Sequence, residues 1–189
     1  MTTASVPRAD APIGVFDSGI GGLSVLRALR AALPHDDFVY FADSAHAPYG
    51  ERDDAHVQAR SRAVLAELQA AHGIKAFVIA CNTATAAAAE ALRAAHPDQV
   101  IVGIEPALKP ALTLTRTGRI GVLATRGTLA SPKFRVLHHG LATRAEFVLQ
   151  PDCGRWRRIV RRLGDHHQPV NLFRGQPKPR EQLLRGMAA

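Results

Sequence analysis

The stretch Ile13-Gly14-Val15-Phe16-Asp17-Ser18-Gly19-Ile20-Gly21-Gly22-Leu23 decides the fold class. Its first four residues are apolar and too short a run for a helix, which suits a buried strand. Five of the next six are polar or glycine, with Ile20 the exception, and Leu23, Val25, Leu26, Leu29 and Leu33 then recur at helical spacing until Pro34 stops the pattern. A strand, a tight glycine turn and an amphipathic helix make the opening half of a βαβ unit. In an open parallel sheet, ligands gather beyond the carboxyl ends of the strands, where this turn lies.

The same alternation continues along the chain. Short apolar runs at Phe38–Ala42, Ala76–Ala80, Val100–Ile104 and Arg119–Leu123 read as further strands. Helical patterns fill the gaps: Arg52–His72, ending at Gly73, and the alanine-rich Thr83–Ala95, closed by Pro97. The expectation is an α/β protein with a parallel sheet flanked by helices. Residues 1–115 form its first domain, with 106–117 as a connection. Residues 116–150, with a turn at 124–128, start a second α/β domain that is only partial.

Beyond residue 150 the periodicity fades. Residues 151–189 hold 9 basic and 3 acidic side chains, a net +6, whereas residues 1–150 hold 15 and 13, a net +2. Arg155–Leu163 has the spacing of a short basic helix, and 168–180 is rich in Pro, Gly and Arg. A basic tail raises nucleic-acid binding as a reading. The abrupt change in composition supports a duller one, translation out of register from about residue 151, and nucleic acid is not the expected partner.

Composition excludes several classes. Hydrophobic residues make up 47% of the 189, enough for a substantial core. There is no run of about 18 or more apolar residues, so no membrane span is expected. Residues 1–11 are polar with no apolar core, unlike a secretory signal. Two cysteines, Cys81 and Cys153, are too few for a disulfide scaffold, which places the protein in the cytoplasm.

Three loops carry candidate chemistry. The Asp17–Gly22 turn lacks the Gly-Lys-Ser/Thr ending of a P-loop and the full dinucleotide fingerprint, so a phosphate cofactor is not indicated. Its plainest reading is a tight turn with Asp17 as a cap. Cys81-Asn82-Thr83 follows a strand and opens a helix, where the helix dipole favours a thiolate and the polar pair offers donors to a carboxylate. Its plainest reading is a small buried hydrophobe. Asp43-Ser44-Ala45-His46-Ala47-Pro48-Tyr49-Gly50 follows the second strand and completes a set of three loops expected to converge on one crevice. Glu105, after the fourth strand, is a weaker candidate for the same crevice, with a structural role equally open. The histidine pairs 138–139 and 166–167 lack metal-ligand spacing, so no metal is expected.

Ile13 to Val25, Pro48-Tyr49-Gly50, Ala80-Cys81-Asn82-Thr83-Ala84 and Ile104-Glu105-Pro106-Ala107 together resemble the signatures of glutamate racemase, in the aspartate/glutamate racemase superfamily. Ile120 to Thr128 is similar to that family's start of a second domain, and the likeness spans roughly residues 12–135. The resemblance implies cofactor-independent interconversion of L- and D-glutamate, the D form serving peptidoglycan, by two cysteines facing opposite sides of the substrate Cα. Carried onto this chain, Cys81 is one catalytic thiol and Asp17 assists its proton transfer. Asp17, Ser18, Tyr49, Gly50, Asn82 and Thr83 bind substrate, and a homodimer is implied. The family's second cysteine lies in a Gly-Cys-Thr-His-Tyr-Pro motif absent from these 189 residues, and Cys153, in Pro-Asp-Cys-Gly-Arg-Trp, does not match it. An impaired racemase is therefore expected. A non-catalytic dicarboxylate- or nucleic-acid-binding protein and an aspartate racemase are the alternatives.

Overall fold

A computed structural model describes residues 9–151. Arg155–Leu163, Cys153 and His166-His167 lie outside the described residues. The elements run β1 (Ile13–Asp17), α1 (Leu23–Ala32), β2 (Phe38–Ala42), two 3-10 turns (Ser44–His46 and Tyr49–Glu51), α2 (Asp54–His72), β3 (Ala76–Ile79), α3 (Asn82–Ala95), β4 (Val100–Gly103), α4 (Leu108–Leu114), β5 (Arg119–Ala124), α5 (Arg126–Ala130), α6 (Pro132–His139) and β6 (Glu146–Pro151).

The first four strands form one parallel sheet in the order β2-β1-β3-β4. Alternation of side chains splits its two faces. Phe16, Phe77, Ile79 and Ile101 point to one face, beneath Val57, Val64, Leu65 and Leu68 of α2 and Ala84, Ala88, Ala89 and Leu92 of α3. Ile13, Val15, Val78 and Ala80 point to the other, where Val25, Leu26, Leu29 and Leu33 of α1 and its end cover them. The chain leaves β1 toward β2 on one side and then crosses over to β3 on the other. A reversal of this kind opens a crevice between the ends of β1 and β3, and Ala80 N–H still donates to Phe16 O there at 2.7 Å.

Helix ends follow local chemistry. Asp53 caps α2 by accepting the His56 N–H at 2.8 Å, which is why Arg52 and Asp53 stay outside a helix expected from Arg52. Gly73 closes it in the left-handed region at φ 57°.

The connection expected at 106–117 contains a helix, α4. Its Leu108, Ala111 and Leu112 pack with Ile120, Val122, Phe134 and Leu141 in a second core. Residues 124–128, expected as a turn, run into α5, capped by Thr125, whose side chain accepts from Thr128 N–H. Near the end of the second segment the chain adds a strand that periodicity did not single out. There β6 pairs in parallel with β5, and Arg119 meets Glu146 at 2.9 Å at the start of the pair.

Candidate active site

Cys81 sits where β3 gives way to α3. Its backbone is extended (φ −104°, ψ 120°), and its sulfur accepts the Ala84 N–H at 3.5 Å, so the thiol caps the helix. Ser18 Oγ, from the loop after β1, lies 3.5 Å from the same sulfur. Only 7% of the residue is exposed, and it packs into the α2–α3 core. Burial therefore pushes the thiol pKa up, the Asp17 charge adds to the rise, and the bonds from Ser18 and Ala84 oppose it. The thiolate that the helix dipole was expected to favour is thus not the resting form. A partial charge at a helix end is outweighed by removing a full charge from water.

Asp17 is also buried, beside the crevice, at the end of β1. Its Oδ2 accepts the Gly22 N–H at 2.8 Å, tying both ends of the glycine turn together. The turn has no room to spare: a Cβ on Gly22 would lie 2.7 Å from Asp17 Cβ and 3.0 Å from Ala80 Cβ. Tyr40, on the neighbouring β2, donates its hydroxyl to Gly19 O at 2.9 Å. Burial, with the nearby Asp17 and Cys81 charges, pushes its phenol up to about 12.

Asp43 gathers the third loop. Its backbone N–H donates to Asp17 O at 2.9 Å, extending the β1–β2 pairing by one bond. Its carboxylate, 3% exposed, accepts Tyr49 Oη–H at 2.6 Å, a fork from Arg60 at 3.0 Å through Nε and Nη2, and a contact with His46 Nδ1 at 2.9 Å. Burial alone would raise this carboxyl, but the bonds from Arg60, Tyr49 and His46 outweigh it and hold it at about 2. Tyr49 is 1% exposed with its hydroxyl committed to Asp43, so its ring belongs to the core rather than to the crevice surface. Gly50 lies against Thr125, whose side chain would be 2.5 Å from an added Cβ. Asn82 is exposed, whereas Thr83 is buried and its hydroxyl meets Thr125 at 3.0 Å and Thr128 at 3.3 Å.

Residues 15–152 match the family described as Asp/Glu/Hydantoin racemase. The chain belongs to this family. Among its relatives are the glutamate racemases of Ectopseudomonas mendocina, 51% identical over 147 residues, and Stutzerimonas stutzeri, 51% identical over 149. These alignments cover 78% and 79% of this chain but 56% of each relative, so the chain spans little more than half their length. The solved structure of Escherichia coli glutamate racemase in complex with L-glutamate and the activator UDP-MurNAc-ala is similar at a TM-score of 0.73 and 32% identity, over 84% of this chain and 66% of that one. That of Francisella tularensis glutamate racemase in complex with D-glutamate gives 0.59 and 31%, over 75% and 53%.

In this member of the racemase family the first loop meets the other two, through the Ser18–Cys81 and Asp43–Asp17 contacts, and Gly50 of the Asp43 loop abuts Thr125 at the start of α5. Among the described residues Glu105 bonds to none of the three loops. It is exposed and pairs with Lys109 at 3.2 Å, but it lines a cleft of about 660 Å³ together with Asn82 of the Cys81 loop and Thr128. Sequence reasoning overlooked Thr125, Thr128, Arg60 and Tyr40. The first two carried a faint signal, polar residues following a strand, and they belong to the stretch Ile120 to Thr128 that resembles the family. Arg60 and Tyr40 carried none, because one sits in the middle of a helix and the other in a strand. His138 stacks on Phe134 and sits edge-on to Phe147, and among the described residues no group of three or more metal-ligating side chains occurs.

Proposed function

We propose that this chain carries the first half-site of a glutamate racemase, with Cys81 as one of two groups that move the substrate Cα proton. The observation that carries the reading is the Ser18–Cys81 contact at 3.5 Å across the ends of β1 and β3, where the sheet topology opens a crevice. Similarity to glutamate racemases at about half identity supports the choice of substrate.

The chemistry asks for two things. A Cα–H beside an ionised carboxylate is very weakly acidic, so the site must stabilise developing negative charge and supply a base of matched strength. Exposed Asn82 and the free N–H groups at the start of α3 offer donors to a carboxylate. Ser18 and Thr83 add hydroxyls, and Tyr49 and Gly50 add loop backbone. A thiol whose pKa is raised rests protonated, so Cys81 begins as a proton donor to one face of Cα. Having given that proton to Cα it is a thiolate, and a correspondingly stronger base for the return direction. Asp17, whose charge acts on this thiol, assists the transfer.

Racemisation needs a second acid–base group on the opposite face. Within these 189 residues no motif matches the family's second cysteine. We therefore infer that this polypeptide by itself binds glutamate but turns it over little or not at all, and that the two-thiol reaction, supplying D-glutamate to peptidoglycan from the cytoplasm, belongs to a complete site. Homodimer formation goes with this reading. Among the described residues no helix is long and apolar enough to cross a membrane.

Circular dichroism of L-glutamate incubated with the chain tests turnover, and alkylation of Cys81 in a Cys153→Ser background tests binding. The expected outcome is no change in ellipticity and slower alkylation in the presence of D- or L-glutamate. Robust turnover abolished by Cys81→Ala would refute the inferred impairment. Alkylation indifferent to glutamate at saturating concentration would refute the glutamate half-site.

A further inference from the structure

We propose that Asp43, clamped by Arg60, is the positioning residue of this crevice: it holds the Tyr49–Gly50 turn against Thr125 and so sets how the two cores meet around the ligand. The inference rests on the glutamate reading only for the identity of that ligand.

Several independent contacts converge on this one residue. Its backbone N–H is tied to Asp17 O, at the base of the first loop. Its side chain reaches six residues onward to Tyr49 and across to Arg60 in the middle of α2. The Arg60 fork is bidentate, which fixes the plane of the carboxylate as well as its place. Apart from these bonds, the loop is held by the Tyr49 ring packed near Phe16 and His56 and by single-turn backbone contacts such as Ala47 N–H to Ser44 O and Arg52 N–H to Tyr49 O. Two short 3-10 turns do not fix a loop by themselves. The carboxylate is therefore the rigid centre around which the loop is built.

The consequence reaches the second core. Gly50 abuts the Thr125 side chain so closely that a methyl group would not fit, and Gly50 O lies 3.6 Å from the place of an added Cβ on Gly127. Thr125 in turn bonds Thr83 and Thr128 at 3.0 Å each. A shift of the Tyr49–Gly50 turn would thus move the hydroxyl group of three threonines that joins α3 to α5. This geometry also separates two roles for Tyr49. A hydroxyl donated to Asp43 at 2.6 Å is not available to donate to a substrate carboxylate, so Tyr49 serves the site through Asp43 and its own backbone.

Hydrogen exchange at residues 49–51 and 125–128, together with calorimetric titration of D-glutamate, tests this on the full chain with Asp43→Asn, Tyr49→Phe, the double variant and Arg60→Gln against Arg60→Lys. Exchange at both segments is expected to rise roughly tenfold or more in Asp43→Asn and Arg60→Gln, with Arg60→Lys between them and the parent. Affinity should fall roughly tenfold to a hundredfold, the range for losing a hydrogen bond to a charged group. The Asp43 and Tyr49 losses should be strongly non-additive, because they remove the same contact. Unchanged exchange at 125–128 in every variant overturns the proposal whatever the affinity does. Affinity losses that simply multiply in the double variant also overturn it, placing the Tyr49 hydroxyl on the ligand. Should Asp43→Asn fail to fold, Tyr49→Phe and the Arg60 pair decide by the same exchange criterion. A parent chain with no affinity for D-glutamate refutes the glutamate reading, and exchange still decides on Asp43.

Discussion

At the scale of single residues, Cys81 shows two electrostatic effects in competition. The start of α3 offers a partial positive charge, and the core around the sulfur withholds water. Desolvation prevails, so the thiol is raised above its ordinary value. Alkylation of Cys81 in a Cys153→Ser background should accordingly show a midpoint above that of a free thiol. Ser18→Ala should move the midpoint further up, since it removes a bond that favours the charged form. A midpoint lowered by that substitution would contradict the assignment. Gly22 gives a second test. Its Cα has Asp17, Ala80 and Tyr40 packed around the place of a side chain. Gly22→Ala should destabilise the fold by about 1–3 kcal/mol through overpacking, read from urea denaturation.

At the scale of elements, α2 is the best specified. Asp53 caps its start through the His56 N–H, and Gly73 ends it at φ 57°, where no neighbouring atom would touch an added Cβ. Asp53→Ala should cost about 1 kcal/mol through the lost cap. Gly73→Ala should cost a similar amount, about 1 kcal/mol, from backbone conformation alone. Both are measured by chemical denaturation, and equal stability of the Gly73 variant and the parent would mean that the helix end rearranges. The strands were visible as short continuous apolar runs, because the sheet is covered on both faces, and the long helices because burial repeats every 3.6 residues. By contrast α4, α5 and β6 were not visible. The two helices have seven residues or fewer, too short to display a period, and are held by the second core rather than by propensity; β6 is mostly exposed and its apolar run is only Phe147 to Leu149.

At the scale of the whole molecule, the two cores differ in extent. The first sheet has helices on both faces, whereas the second core rests on a two-stranded sheet with Val148 and Leu149 exposed. Amides of β5 and β6 should therefore exchange at least about tenfold faster than those of β1 and β3, which lie inside the sheet. Acid stability should report the Asp43 cluster of Arg60, Tyr49 and His46. The folded pKa of Asp43, about 2, lies below its ordinary 3.8. Its contribution to stability is thus complete above about pH 4 and is lost as pH falls through 2. Asp43→Asn should flatten that acid limb in pH-dependent denaturation, and an unchanged limb would show that the stability lost there arises elsewhere.

Sequence alone determined the α/β class, the alternation of buried strands and covering helices, and the three loops with polar residues at strand ends. These are local or periodic properties that each segment carries with it. The family resemblance was legible for the same reason, since its motifs are short and contiguous. Tertiary structure decided the rest. Asp17 turns to Gly22 and Ser18 meets the thiol, Tyr49 points into the core, Glu105 shares a cleft with Asn82, and Arg60 and Thr125 join the site. None of these is legible along the chain, because each depends on strand order and on which side chain wins a shared buried space. Burial likewise set the charge state of Cys81, since the water a thiolate needs is excluded by residues distant in sequence.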